Sequence, residues 1–349
     1  GEKMKKHGKI IITVVIILVI IVIITIVCMK NIKQKDKENV GEIITEERYK
    51  DIEEISTYNN PIIPEGFKKI ETETASWEIE KGIPKGWNNG LVIEDEIGNQ
   101  FVWVPVESIP NVIGGNIKDD YIFYRGLNCN EKELIQILKY GGFYVGRYEA
   151  GLPQEIIDNT TEFSKDTNNV EGIPTSKKGQ IVWNFIDWNM AKINAQKMYN
   201  KNNISSDLIT YNQWDKIMYW LDNSGYDIKD SRDYGNYSNI NFVFDGKYSI
   251  DYGKTYEYNN EKSKVIYNMI LSAGATERNK TNNIYDLAGN VTEFQDYRRY
   301  INGDYGIEED YRSRGGYYDS VGTGYSISSD MSISEANSRQ GFRIVLYQQ

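Results

Sequence analysis

The chain has 349 residues and a formal net charge of −10 at pH 7. This charge argues against nucleic acid as a partner, because a protein that binds phosphate backbones needs a basic surface. The only histidine, His7, precedes the first apolar segment, so the rest of the chain has no histidine for base catalysis or for a zinc site. Cys28 and Cys129 are the only cysteines, which excludes a disulfide framework.

Residues 10–29 form an uncharged apolar run. A helix of about 20 residues spans about 30 Å, the thickness of a bilayer core. The run therefore predicts a single transmembrane helix after a short basic tail, residues 1–9. A cleaved signal peptide, a lipoprotein anchor at Cys28 and a pilin-like leader cut after Gly8 fit the flanking residues less well. Lysines lie on both sides of the run, and we expect the tail in the cytoplasm and the domain outside the cell.

Residues 30–60 are charged and poor in aromatic side chains, which is typical of a stalk. Residues 61–349 are long enough to bury a sizeable core as one domain. The sequence therefore predicts four parts: a tail, a membrane helix, a stalk and a folded domain.

Three segments of the domain have apolar residues at helical spacing. Asn130 with Glu133, and Thr210 with Gln213, form cap patterns at the start of two of them, and Gly141 ends the first. The apolar stripes are Leu134, Ile137 and Leu138 in the first helix, Trp188, Ala191, Ala195, Met198 and Tyr199 in the second, and Trp214, Ile217, Met218 and Leu221 in the third.

Residues 342–347 show alternation, with Phe342, Ile344 and Leu346 on one face of an extended segment. This pattern predicts a half-buried final strand. Few helices among many short strands and long loops favour the α+β class.

The C-terminal motifs are the most specific part of the chain. Residues 283–294 read Asn-Ile-Tyr-Asp-Leu-Ala-Gly-Asn-Val-Thr-Glu-Phe, residues 314–316 read Arg-Gly-Gly, and residues 341–343 read Gly-Phe-Arg. Their order and spacing resemble the formylglycine-generating enzyme family, also called the sulfatase-modifying factor domain. The resemblance implies an irregular α+β domain related to the C-type lectin fold.

The upstream residues resemble the same family. Residues 90–95 and 101–106 look like its opening hairpin, and residues 143–149 look like its next strand. The resemblance covers most of the chain from about residue 61 onward.

The resemblance does not extend to the catalytic residues. Family members carry two cysteines between the Gly-Gly pair and the final Gly-Phe-Arg, and these cysteines hold copper and oxidise a cysteine of a client sulfatase. Here the two positions fall near Ser320 and Tyr325, neither of which can form a thiolate. We therefore expect no catalytic residue and no copper. An enzyme with an unrecognised site and a structural subunit of a surface or pilus-like assembly are the alternatives.

The resemblance also implies a structural calcium ion. Asp286 and Glu293 match side-chain ligands of that ion, while Gly289 and Val291 match positions that ligate through backbone carbonyls. Oxygen ligands of mixed type are those that Ca²⁺ prefers. The alternative is that Asp286 and Glu293 pair with Arg314 or Arg343 and that no metal is bound.

The segment in place of the catalytic loop, residues 317–339, is rich in Tyr, Ser, Gly, Asp and Asn. These residue types dominate antibody-like contact surfaces, and the segment resembles the variable face of lectin-fold proteins that phages and bacteria diversify for ligand display. We expect it to bind a surface protein or a glycan; a solvated loop without a ligand is the alternative. The expected contact residues are Tyr317, Tyr318, Asp319, Tyr325 and Asp330.

Overall fold

The computed structural model describes residues 53–106, 131–160, 162–201, 203–238, 243–244, 248–251, 254–257, 263–264, 269–303, 306–321, 326–328, 330–332 and 335–349. All of them fall in one unit, made of Ile52–Phe123 and Cys129–Gln349. Within these ranges, no helix combines the length and the apolar character that crossing a bilayer requires. The predicted transmembrane helix, residues 10–29, lies outside them.

Helices and strands are mixed along the chain, which confirms the α+β class. The helices are α1 Glu131–Tyr140, α2 Gln154–Asp158, α3 Lys165–Asn168, α4 Trp188–Met198 and α5 Tyr211–Asn223. The strands are β1 Phe67–Ile70, β2 Ile79–Glu80, β3 Ile83–Pro84, β4 Val92–Asp95, β5 Gln100–Pro105, β6 Gly142–Gly146, β7 Asn200–Lys201, β8 Ile204–Leu208, β9 Val243–Phe244, β10 Tyr248–Asp251, β11 Lys254–Glu257, β12 Ser263–Lys264, β13 Ile270–Leu271, β14 Lys280–Thr281, β15 Ile284–Tyr285, β16 Thr292–Gly303, β17 Gly306–Arg314, β18 Asp330–Ser332, β19 Gln340–Phe342 and β20 Ile344–Gln348.

Among the described residues, the largest sheet has seven strands in the order β1-β4-β5-β6-β20-β8-β7. Each neighbouring pair is antiparallel. In the β4–β5 hairpin Val92 lies opposite Val102, and β6 pairs with β5 on the other side. The hairpin and the strand that the sequence predicts are confirmed.

The three predicted helices are confirmed as α1, α4 and α5. Helix α1 ends at Tyr140, and Gly141 directly after it has a φ of 76°, in the left-handed region. Helix α5 begins with a complete capping box: the Thr210 hydroxyl accepts from the Gln213 N–H at 3.0 Å, and Gln213 Oε1 accepts from the Thr210 N–H at 2.9 Å. Its apolar face is buried, as the fully covered side chains of Trp214 and Leu221 show.

The prediction of a half-buried final strand is wrong. All side chains of residues 342–347 are buried, Arg343 included. The reason is the position of β20 in the middle of the sheet, where both faces are covered. Ile344 and Leu346 pack into one apolar cluster, and Val345 and Tyr347 pack into the other.

Part of the segment assigned to the stalk packs on the domain. The Ser56 hydroxyl donates to the Tyr140 carbonyl at 2.8 Å. The Trp103 indole N–H donates to the Tyr58 carbonyl at 2.8 Å, and the ring of Tyr58 lies edge-on to Trp87, 5.2 Å between centroids. The packed part of the chain therefore begins before residue 61.

A second sheet, of order β18-β17-β16-β19, carries the C-terminal motifs. Strand β19 lies parallel to β16, with Glu293 opposite Gly341, while β17 pairs with β16 on the other side, with Glu293 opposite Arg314. The three motifs that lie far apart in the sequence are therefore neighbours in this sheet.

Candidate functional site

A buried turn leads from β15 to β16 and contains three of the four expected calcium ligands, Asp286, Gly289 and Val291; the fourth, Glu293, lies at the start of β16. Asp286, Gly289 and Asn290 have φ values of 59°, 73° and 63°, all left-handed. A Cβ atom at Gly289 would collide with the Asn236 carbonyl oxygen, so only glycine fits there. The turn brings the Asp286 and Glu293 carboxylates into the interior, where both are 1% exposed.

Glu293 forms an ion pair with Arg343. Arg343 Nε lies 2.9 Å from both carboxylate oxygens of Glu293, and Nη2 lies 2.5 Å from Oε1. The other guanidinium hydrogen bonds go to the carbonyls of Gly146 and Tyr285, each at 2.9 Å. Arg343 thus ties the Gly-Phe-Arg motif to β6, β15 and β16.

The other charged groups have other partners. Asp286 accepts from the Gly274 N–H at 2.6 Å and from the Asn279 side-chain amide at 3.3 Å. Arg314 pairs with Asp215 at 3.1 Å. The alternative to calcium predicted that Asp286 and Glu293 pair with Arg314 or Arg343. Of these pairs, the structure contains Glu293–Arg343.

Glu149 is a third buried carboxylate, which sequence reasoning missed. Its Oε1 accepts from the Val291 N–H at 3.2 Å, and its Oε2 accepts from the Asn290 amide at 2.5 Å. The Asn290 side-chain oxygen accepts in turn from the Leu271 N–H at 2.8 Å. Glu149 therefore holds the turn in place. An acidic residue three positions after the end of the buried strand β6 is the signal that could have indicated this role.

Glu149, Asp286, Glu293 and Arg343 form what we call the carboxylate cluster. Burial raises the pKa of Glu149 well above its usual range, and repulsion from Asp286 and Glu293 adds to the rise. Burial also raises the pKa of Asp286 to about 6. Burial raises the pKa of Glu293 too, although Arg343 opposes this rise. Three carboxylates share one guanidinium, so the cluster favours an additional positive charge, either a proton or a cation.

The donor atoms suit a hard cation only in part. Asp286 and the carbonyls of Gly289 and Val291 offer oxygens of the right type, whereas both oxygens of Glu293 are bonded to Arg343. In the part of the chain that the structure describes, no three His, Cys, Asp or Glu side chains are grouped as metal ligands. That observation does not cover backbone carbonyls, and calcium stays a prediction.

The start of the predicted ligand-binding segment lies against the segment just before the Gly-Phe-Arg motif. Arg339 Nε donates to Asp319 Oδ1 at 2.9 Å, and Nη2 donates to Oδ2 at 2.7 Å. The guanidinium carbon lies 4.9 Å from the centre of the Tyr317 ring. The Tyr318 hydroxyl lies 3.2 Å from the Ser338 hydroxyl. We call Tyr317, Tyr318, Asp319, Ser338 and Arg339 the ligand face, after the ligand contact that the sequence predicts for the first three.

The ligand face is only partly covered. The side chain of Arg339 is 47% exposed and that of Asp319 is 21% exposed. Sequence reasoning missed the part played by Arg339, although a charged residue just before the Gly-Phe-Arg motif is a signal for it. The neighbouring Val321 is 63% exposed.

The remaining predicted residues are placed as follows. Asp330 begins the edge strand β18, where its backbone lies opposite Arg314 of β17. Tyr325 lies outside the described residues. Ser320, near the position of a family cysteine, is buried and accepts a hydrogen bond from the Tyr317 N–H at 2.9 Å. This residue therefore stabilises the turn that carries Tyr317 and Asp319.

Known proteins resemble this chain only weakly. No family model matches the chain, and no curated protein matches it. Among solved structures, CarF is similar over 60% of this chain and 87% of its own, with 15% identity and a TM-score of 0.34. Treponema denticola variable protein 1 is similar over 72% of this chain and 96% of its own, with 16% identity and a TM-score of 0.38. Neither likeness carries an argument about this chain.

Proposed function

We propose that residues 61–349 form a domain of the formylglycine-generating-enzyme type, related to the C-type lectin fold. Residues 10–29 anchor it in the membrane as a single-pass protein, with the domain outside the cell. The domain binds a surface protein or a glycan and catalyses no reaction. The motif order of residues 283–343 supports the fold, and the ligand face supports the binding function.

The arrangement of Arg339 is the observation that carries this proposal. Asp319 holds the guanidinium in a bidentate pair and the Tyr317 ring lies beneath it, so a half-exposed arginine is kept in one orientation. Arginine and tyrosine, with tryptophan, are the residue types enriched among those that dominate binding energy. A side chain that is already ordered loses little entropy when a partner binds.

The test uses the full chain in lipid nanodiscs, screened against cell-surface glycans and proteins in calcium and in chelator. For any partner found, Tyr317→Ala and Arg339→Ala should each weaken binding by about 2 kcal/mol, the level of a hot spot. Tyr219→Ala is the matched control, because Tyr219 lies on α5 and is 52% exposed.

Three results would count against the proposal. Unchanged affinity in both ligand-face variants would show that the site is elsewhere. Oxidation of a cysteine in a peptide would support the enzyme alternative. A polymer that forms with rising protein concentration and excludes ligands would support the assembly alternative.

A further inference from the structure

Lys192, Asp207 and Asp296 form a second charged group, which shares no residue with the carboxylate cluster or the ligand face. Lys192 Nζ lies 2.6 Å from Asp207 Oδ1 and 2.7 Å from Asp296 Oδ2. Lys192 belongs to α4, Asp207 to β8 in the seven-stranded sheet, and Asp296 to β16 in the second sheet. One amine is therefore within hydrogen-bonding distance of two carboxylates from two different sheets.

The backbone around the group is fixed on both sides. Trp188 lies one turn before Lys192 on the same face of α4, and its indole N–H donates to the Gln295 carbonyl at 2.7 Å. The Asp296 N–H donates to the Ile209 carbonyl, directly after β8, also at 2.7 Å. Helix α4 is thereby tied to β16, and β16 is tied to the end of β8. The three charged side chains are held together by these contacts as well as by their own charges.

The group is shielded from water without being closed off. The side chain of Asp207 is 5% exposed, and those of Lys192 and Asp296 are 18% and 20% exposed. The surface pair of Lys178 and Glu277, by comparison, is 56% and 51% exposed. Low exposure strengthens the interactions among the three groups, and the remaining exposure gives a released water molecule a way out.

The two carboxylates differ in their hydrogen bonds. Besides Lys192, Asp207 accepts from the Leu208 N–H at 2.8 Å and from the Gln196 amide at 3.2 Å. Among the described residues, Asp296 accepts from Lys192 alone. Because two carboxylates share one ammonium group, the less well bonded Asp296 takes up a proton more readily. Burial raises the pKa of Asp296, which acts in the same direction.

We infer that Lys192 and Asp296 join spontaneously in an amide bond, with Asp207 as the proton acceptor. Asp207 takes a proton from the ammonium group, and the free amine attacks Cγ of the protonated Asp296 carboxyl group. The Nζ–Cγ bond forms, the bond from Cγ to the hydroxyl oxygen breaks, and this hydroxyl leaves as water with one amine hydrogen. Asp207 then releases its proton to solvent, and nothing is oxidised or reduced.

The arrangement of the three groups favours this condensation. Groups held in contact react as if they were present at about 10⁵–10⁸ M, which favours an amide that the same groups would scarcely form in free solution. The Asp296 oxygen that contacts Lys192 is bonded to Cγ, so the amine is already next to the carbon that it attacks.

The bond would link α4 covalently to β16 and close a loop from residue 192 to residue 296. Cys28 and Cys129 are the only cysteines, so no disulfide can cross-link these two elements. A link of this kind constrains the unfolded chain as a disulfide does. The inference goes beyond the proposed function and does not depend on it.

The test is mass spectrometry of the purified full chain after incubation in its folded form at pH 7. The intact denatured chain should be lighter by one water molecule than its sequence requires. A tryptic digest should contain a branched peptide in which Lys192 is joined to Asp296. A chain kept in urea from the start should show neither feature, because the groups then do not meet.

Four variants separate the cross-link from an ordinary ion pair. Lys192→Arg keeps the positive charge and Asp296→Ala removes the acceptor, so both should show full mass and migrate more slowly than the parent in a denaturing gel. Asp207→Asn removes the proton acceptor and should slow the loss of water at least tenfold. Lys178→Arg, in the exposed pair with Glu277, is the matched control and should lose water as the parent does.

Several outcomes would overturn the inference. One is a parent chain of full mass whose Lys192 and Asp296 appear only in separate, unbranched peptides. Another is a loss of water that persists in Lys192→Arg, since the dehydration would then lie elsewhere. A branch at Asp207, or an unchanged rate in Asp207→Asn, would overturn the roles given to the two carboxylates. If a variant fails to fold, the digest of the parent chain decides by itself.

Discussion

The carboxylate cluster and the ligand face each hold an arginine in a bidentate pair with a carboxylate, and they differ in burial. The side chains of Arg343 and Glu293 are 0% and 1% exposed, whereas those of Arg339 and Asp319 are 47% and 21% exposed. In the buried pair, removal of one partner leaves an uncompensated charge without water. In the exposed pair, water replaces the lost partner. The same chemistry therefore stabilises the fold in one region and leaves a group available for binding in the other.

The largest expected effect separates the two arginines directly. Arg343→Met should lower the free energy of unfolding by about 3–5 kcal/mol, because it leaves three buried carboxylates without their guanidinium. Arg339→Met should lower it by about 1 kcal/mol or less. Urea denaturation followed by tryptophan fluorescence measures both. Equal losses in the two variants would contradict the conclusion that the buried pair stabilises the fold more than the exposed pair.

The second prediction concerns the pH dependence of the carboxylate cluster. A carboxyl group whose pKa is raised by folding stabilises the protein below its unfolded pKa, and this contribution is lost as the pH rises through the folded pKa. Asp286, with a pKa of about 6 against an ordinary 3.8, should thus contribute on the order of 3 kcal/mol that is lost between about pH 4 and pH 6. Glu149 and Glu293 act in the same direction.

Urea midpoints between pH 5 and pH 8, measured in chelator, check this prediction. They should fall as the pH rises, and Glu149→Gln should flatten the dependence because one of the titrating groups is gone. A midpoint that rises with pH over this range in the parent chain would contradict the assignment of raised pKa values.

Calcium should act on the same region. An ion bound to the turn would satisfy the negative charge of the cluster, and a ligand at a concentration of 100 times its Kd stabilises the folded state by about 2.7 kcal/mol. The melting temperature should therefore rise with calcium, more at pH 8 than at pH 5, because protons compete for the carboxylates. Asp286→Asn should abolish the rise, while Asp319→Asn on the ligand face should preserve it. No rise at any pH would exclude a calcium site.

The smallest expected effect concerns Glu277, an exposed carboxylate. Its contribution to stability is lost as the pH falls, whereas that of the carboxylate cluster is lost as the pH rises. Burial opposes ionisation of Glu277, yet hydrogen bonds from Lys280, Lys178 and Tyr285 lower its pKa to about 2. Its contribution is present above about pH 4.5 and lost as the pH falls toward 2. Since Glu277 is 51% exposed, Glu277→Gln should cost less than about 1 kcal/mol at pH 7. A thermal melt at pH 7 measures the cost, and a loss as large as that of Arg343→Met would contradict the role of burial.

Local signals in the sequence predicted the helices well. The capping box of Thr210 and Gln213 and the glycine after α1 act within one turn of helix, so the chain itself contains the whole interaction. The opening hairpin was expected from the family resemblance of residues 90–95 and 101–106, and β4 and β5 form it.

Interactions between distant residues were not predictable to the same degree. In the sequence, Arg343 alternates with apolar residues, which indicates that it faces solvent. The structure buries it because Glu293, 50 residues earlier in the chain, pairs with its charge. The sequence left open whether Glu293 would pair with Arg314 or Arg343, because only the order of strands in the sheets decides it. Glu149 went unnoticed for the same reason, since its partners Asn290 and Val291 lie more than 140 residues further along the chain.

The central place of β20 has a consequence for biosynthesis. Strands β6 and β8 are not hydrogen-bonded to each other, because β20 lies between them. Until the ribosome has made residues 344–348, the emerging chain holds two separate sheet fragments, each with an open edge that invites pairing with other chains. Contacts between residues so far apart in sequence also form slowly. A chain cut off before β20 should therefore aggregate or be degraded, and should not persist as a weakened form of the domain.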